Sequence, residues 1–433
     1  MAKVRNPMPT MLRGTIFLSI ISVATVAQGA EFELHPSIAV SEEFTDNVFE
    51  TNTNRISDYI TRALPGIVMS YKAPALAADL NYVFDYRHYA RKTHGDEITH
   101  ALSAKGHLTA VENFIYLDVS DEYQRVSLDA TRDVTSESLF LNQSDRNIVT
   151  VAPYVTLRPT ERIKVKAGYR FTDTRYFGST GIAGYQFTDT SYFGSSAIGI
   201  NKTDHVATLD VAYELSKKFS LTAGYTFTRE TSDIDNLSQH QALGGFRYEY
   251  TDKSFVFAQA GNTWTSYDSG QRLSNIAWNA GITHVFNTLT GTVITGVKYD
   301  EDPLRNIMKE SFVSGTLEMR LNRGSLSFSP MYSEYVLTKT DSQLTKKYGA
   351  TVRGQYELTQ KLNGNLAVTA EKYEQPTLGS YTRRLEVHSG LSYLLAEQLT
   401  ASLSYIYVEY YSPGIVYDNR HVNRAMVEIK KTF

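Results

Sequence analysis

The chain contains no cysteine and only two tryptophans in 433 residues. Without thiols there is no disulfide, no thiolate nucleophile, no Cys-ligated metal and no CxxCH haem attachment. Long apolar runs are just as scarce. The one between Thr15 and Ala27 is shorter than the ~20 apolar residues of a transmembrane helix, so strands must make any membrane crossing. Phosphate loops, nucleophile elbows and zinc signatures are missing as well, which leaves no cofactor to expect and points away from an enzyme. His388 and Ser389 are neighbours in a strand and point to opposite faces, so they cannot act as a catalytic pair. A formal net charge of −3 argues against nucleic acid as a partner.

What the chain has is tyrosine, 30 residues of it, at a mean hydropathy of only −0.30. From Glu31 onward it breaks into segments of roughly ten to sixteen residues with alternating polarity. Leu76, Ala78, Leu80, Tyr82, Phe84 and Tyr86 share one face, with Asp79, Asn81, Asp85 and Arg87 on the other. Ile163 to Phe171 and Phe219 to Phe227 repeat the arrangement. A transmembrane barrel has such dilution built in, because each lipid-facing side chain alternates with a polar lumen-facing one.

Both ends of the chain agree. Lys3, Arg5 and Arg13 precede the apolar run, and small residues follow at Ala27, Gly29 and Ala30, the layout of a cleaved signal peptide over residues 1–30. At the other end, Ala425, Val427 and Ile429 lead to a terminal Phe433. A terminal aromatic on a period-two strand resembles the signal read by the outer-membrane insertion machinery, although Lys431 stands where an apolar residue is usual. A lysine there would snorkel its ammonium to the headgroups.

The connections alternate between short and long. Short turns are expected near Lys72–Ala75, Glu112–Asn113, Pro159–Glu161, Ser216–Lys218, Thr251–Lys253, Asn287–Leu289, Asn322–Gly324, Thr359–Lys361 and Ala396–Gln398. Longer polar stretches include Ser127–Ser144 and Arg175–Lys202. The expectation is therefore an all-β, antiparallel transmembrane barrel over residues 31–433, of about twenty strands with eighteen as the alternative, in the outer membrane. Pro65, Pro153 and Pro330 fall inside expected strands, which predicts that they sit at bulges or near the rim.

The polar face supplies the candidate pore-lining residues: Asp79, Asp85, Arg87, Lys164, Lys166, Arg170, Asp210, Glu214, Arg247, Glu249, Glu318, Arg320, Arg353, Glu357, Arg384 and Glu386. The plain reading is a mutually neutralised, hydrated wall. The sharper one is a basic strip of Lys164, Lys166 and Arg170 that faces an acidic strip and creates a transverse field. His88, His94, His100 and His107 gather near Asp96 and Glu97 without the spacing of a metal motif, so no metal site is expected. Residues 168–183 and 184–199 form a tandem repeat. It reads either as a duplication that lengthened an exposed loop, or as a sugar platform of Tyr176, Phe177, Tyr192 and Phe193.

Glu42, Glu43, Phe44, Asp46 and Asn47, then Ser57, Asp58 and Tyr59, then Pro65 and Gly66 resemble the opening of a family of β-barrel porins, the PEP-CTERM/exosortase system-associated outer membrane proteins. The resemblance implies an association with exopolysaccharide export or surface assembly, and it carries no catalytic residues. The leading expectation is a porin-like channel whose partners are outer-membrane lipids, the insertion machinery, and polysaccharide or small polar solutes. The alternatives are an occluded barrel serving as a surface anchor, and the sheath of a porin-cytochrome electron conduit.

Overall fold

The computed structural model describes residues 29–127, 143–177, 199–233, 235–301, 307–338, 342–376, 379–413 and 419–433. The expected signal peptide lies outside the described residues apart from Gly29 and Ala30, as do Tyr192 and Phe193 of the repeat. The strands are β1 (Glu31–Thr45), β2 (Asp58–Lys72), β3 (Leu76–Tyr89), β4 (Glu97–Val111), β5 (Ile115–Ser127), β6 (Gln143–Thr160) and β7 (Ile163–Phe177). They continue as β8 (Lys202–Glu214), β9 (Phe219–Ser232), β10 (Leu237–Thr251), β11 (Ser254–Tyr267), β12 (Arg272–Val285), β13 (Leu289–Glu301) and β14 (Ile307–Leu321). The last are β15 (Gly324–Leu337), β16 (Ser342–Glu357), β17 (Leu362–Gln375), β18 (Ser380–Ala396), β19 (Leu399–Tyr411) and β20 (Arg420–Thr432).

Each strand pairs antiparallel with its sequence neighbours, and β1 pairs with β20 from Ser37↔Thr432 to Thr45↔Arg424, closing a barrel of twenty strands. The nine short connections fall where the sequence places them, and all lie at the end that holds the C-terminus. That end is periplasmic in such a topology.

Register and burial separate the two faces. In β1, Ala39, Ser41, Glu43 and Thr45 are buried while Ile38 and Val40 are exposed; following the pairings around the barrel keeps one face inward throughout. The outward face carries Val293, Leu317, Leu403, Val427 and Ile429, each 45% exposed or more. Water would penalise each such side chain by about 1.5–3 kcal/mol, and lipid does not. Strands of 13 to 18 residues, rising ~3.3 Å per residue at a tilt of ~40°, outreach the ~25 Å apolar band, so their outer ends stand above it.

The prolines depart from expectation. Pro65, Pro153 and Pro330 each keep a partner on one side (Ile38, Leu117 and Ala350) and interrupt the ladder on the other, with the same register resuming beyond the gap. A missing N–H therefore costs pairing with one neighbour and needs no bulge. The register shifts lie elsewhere, four of five at periplasmic strand ends, as at Thr109/Val111 and Leu394/Ala396. At the C-terminus the Phe433 N–H donates to the Pro36 carbonyl at 2.8 Å. Lys431 turns its Nζ to the Glu397 carbonyl at 3.1 Å, in the turn beside it, so its ammonium has a partner in the chain itself.

Candidate functional site

The connection between β1 and β2 does not stand clear of the mouth. Asn47 anchors it by accepting from the Thr51 N–H at 3.0 Å and donating to the Thr51 and His421 carbonyls at 2.7 and 3.1 Å. Asp46 accepts from the backbone and side chain of Asn423 on β20 at 2.8 and 2.7 Å. Val48 is thereby turned inward against Ile60 and Tyr89, each 1% exposed. Glu50, in the left-handed region at φ 54°, a conformation costing a non-glycine residue roughly 1 kcal/mol, places its carboxylate 3.1 Å from Arg424 Nη2.

Glu50 belongs to a chain of paired charges on the inner wall. Arg424 also approaches Glu43 at 3.8 Å, and Glu43 lies 3.6 Å from Arg62. Arg62 meets Asp85 through two hydrogen bonds of 3.1 and 2.7 Å, a fork geometry that is among the stronger pairings available. Asp85 also accepts from Arg87, Arg87 approaches Glu97 at 3.8 Å, and Glu97 meets Arg125. On the other side Arg420 is 3.9 Å from Glu50 and lies over Tyr410, with its guanidinium carbon 4.1 Å from the ring centre. Arg384 flanks the same ring, holds Glu371 at 2.8 Å and contacts Glu386; Glu371 holds Lys347 at 2.9 Å. The network crosses ten neighbouring strands, β16 through β20 and β1 through β5. Its members are mostly buried, and charge at such depth is tolerable only when paired.

The opposite wall is different. The inner faces of β11 and β12 carry no charged side chain, and those of β9 and β10 carry charge only at their ends. Amides and hydroxyls pair there: Gln241 and Gln239 donate to Thr263 and Thr265 at 3.1 Å, and Gln259 to Thr222 at 3.2 Å.

The register places all sixteen candidate pore-lining residues on the face that carries this network. Asp85, Arg87, Arg384 and Glu386 enter it, and most of the others lie nearer the periplasmic end. Lys164 contacts Glu214, Lys166 sits 4.2 Å from the Tyr154 ring centre with Asp210 as its register partner, and Arg247 pairs with Glu249 at 3.1 Å. Of the basic strip, Lys164 is therefore paired along the wall itself. Sequence reading missed Glu50, whose role depends on a loop path, and passed over Glu43, Arg62, Glu371 and Arg424, which alternation alone would have placed inward. The four clustered histidines go to separate partners, His88 to Asp96 at 2.8 Å, His100 to Tyr82 at 2.7 Å, His107 to Asp118 at 2.6 Å and His94 to the Gly95 carbonyl at 2.8 Å.

No protein-family model and no curated protein matches the sequence. Among solved structures, the FrpB iron transporter from Neisseria meningitidis (F3-3 variant) aligns over 92% of this chain and 81% of its own, at TM-score 0.50 and 8% identity. A mutant of the ferric enterobactin receptor PfeA from Pseudomonas aeruginosa aligns over 93% and 80%, at TM-score 0.50 and 10% identity. This chain is an outer-membrane β-barrel protein. The siderophore receptor PirA from Pseudomonas aeruginosa aligns comparably, over 93% of the barrel protein and 80% of its own chain, at TM-score 0.50 and 9% identity. At such identities the likeness is one of fold.

Proposed function

We propose that the barrel is a porin-like channel for polar solutes, and that it transports rather than catalyses. The observation that carries this reading is the two-sided inner wall, with a network of paired charges facing an uncharged wall of amides and hydroxyls. Paired charges hold water without a net field strong enough to trap an ion, and the amide wall offers hydrogen bonds that exchange readily with a passing solute. The sixteen inward residues, Asp85, Arg87, Arg384 and Glu386 foremost, are the pore lining in this reading. The resemblance of Ser41–Tyr71 to the exosortase-associated porins supplies a setting, the export or assembly of surface polysaccharide.

Single-channel conductance of the refolded chain in a planar bilayer tests the proposal. The expected result is a steady conductance with little preference between small cations and anions. Folded protein that conducts nothing would overturn it.

A further inference from the structure

The side chain of Phe257, on the inner face of β11, lies across its register partner Gly281 on β12. A Cβ built on Gly281 would fall 2.6 Å from Phe257 Cε1 and 2.9 Å from Cζ, so the ring occupies the place where a side chain at 281 would stand. The ring is half-buried on the inner face. Its neighbour Phe255 differs, because the Arg247 guanidinium covers that ring at 3.5 Å. No cation lies over Phe257 among the described residues.

The surroundings are polar. Gln259 stands two residues further along β11, beside Asn279 of β12, and donates to Thr222 at 3.2 Å, which leaves its carbonyl oxygen and the threonine hydroxyl hydrogen for other partners. Gln241 and Thr263 repeat that arrangement higher up. Thr222, Gln241 and Gln259 also line a groove of about 1040 Å³ that runs toward β7, where Lys164, Lys166 and Asp210 line its far side. Arg247, the register partner of Phe257 on β10, is taken up by Phe255 and Glu249. An apolar ring bordered by groups able both to donate and to accept suits a pyranose ring, which has a C–H face and a rim of hydroxyls.

We infer that Phe257, with Gln259, Gln241 and Thr222, forms a subsite for neutral oligosaccharides on the uncharged wall. This rests on the channel reading and names the class of solute. The ring stacks on the sugar's C–H face, the amides and hydroxyls take its hydroxyls, and the facing charge network stays paired with itself.

The test is block of single-channel current by maltohexaose, with the full mature chain. Wild type is expected to show transient, concentration-dependent block. Phe257→Ala should raise the blocking concentration about ten-fold, a factor matching one lost stacking contact; Phe257→Tyr should restore block. Gln259→Leu offers a second, independent loss. Block that is absent in wild type, or equal in wild type and Phe257→Ala, overturns the subsite. If the folded protein carries no current, the channel reading fails by itself, and calorimetric titration of the detergent-folded barrel with maltohexaose decides the subsite: binding weakened by Phe257→Ala upholds it, and absence of binding overturns it.

Discussion

The phenol oxygen of Tyr225 lies 2.7 Å from Nδ1 of His240 on the next strand, and Phe227, two residues along from the tyrosine, packs on the same imidazole with ring centres 4.9 Å apart. The arrangement recurs. Tyr82 and Phe84 hold His100, and Tyr169 and Phe171 hold His205, with hydroxyl-to-nitrogen distances of 2.7 and 2.6 Å. On β19 and β20 the same geometry uses Tyr405, Tyr407 and Asn423, at 2.7 Å. All four sets face outward near the upper edge of the apolar band, where amphipathic rings are at home in a membrane interface.

That belt makes a prediction about depth. His240 has Trp264 as its register partner on β11, whereas Trp278 lies outward in the middle of β12. In vesicles of brominated lipids, Trp264→Phe should leave a fluorophore quenched most by bromines deep in the acyl chain. Trp278→Phe should leave one quenched most by shallow bromines. Equal quenching profiles would mean that the belt does not mark the interface.

The inward loop should act as a fixed narrowing of the mouth. Glu50→Ala removes the partner shared by Arg420 and Arg424, which are 9% and 7% exposed. Loss of a buried partner is expected to destabilise by about 1–3 kcal/mol, discounted for lumen water. Conductance should rise, and the temperature at which the folded band is lost on gels should fall.

Asp58 ties two outer connections together. Its carboxylate accepts from the backbone N–H groups of Tyr59 and Arg91 at 2.8 Å and from Thr93, and its side chain is fully buried. Asp58→Asn keeps the volume but turns one acceptor into a donor facing donors. Limited proteolysis should then cut within residues 90–96 well before wild type.

Acid should loosen the outer connection at 268–271. Arg229 and Asn236 donate to Asp268, and the hydrogen bond from Arg229 is the main reason its carboxyl is held below the usual carboxylate range. A depressed folded-state value means that the contribution is complete above the ordinary carboxylate pKa and is lost as pH falls through the lowered one. Hydrogen exchange at 268–271 should be slow at neutral pH and speed up only in strong acid. Exchange that quickens already near pH 6 would contradict the assignment.

Much of the fold was legible because period-two alternation is forced on a wall with lipid on one side and water on the other. Leu80 and Val165 face outward and Asp85 and Lys166 inward for that reason alone. Turn positions were readable from their polar residues. The proline gaps were not, since only the pairing shows that Pro330 loses one neighbour and keeps the other. Nor was the pairing of Lys164 with Glu214, because the two are fifty residues apart and meet only through the β7 and β8 register. Phe257 looked like any other aromatic until Gly281 was seen beneath it. The distinctive opening around Asp46, Asn47 and Asp58 proves to be a set of loop anchors.

The seam between the first and last strands has a further consequence for assembly. Its outer end is stitched by Glu43 and Glu50 from the start of the chain and by Arg420 and Arg424 from its finish. The two edges of an unclosed sheet are thus electrostatic complements, and the same complementarity would join the tail of one copy to the head of another. Ring closure wins that competition by tethering: edges connected through the intervening strands meet at an effective concentration on the order of millimolar, far above that of a second copy.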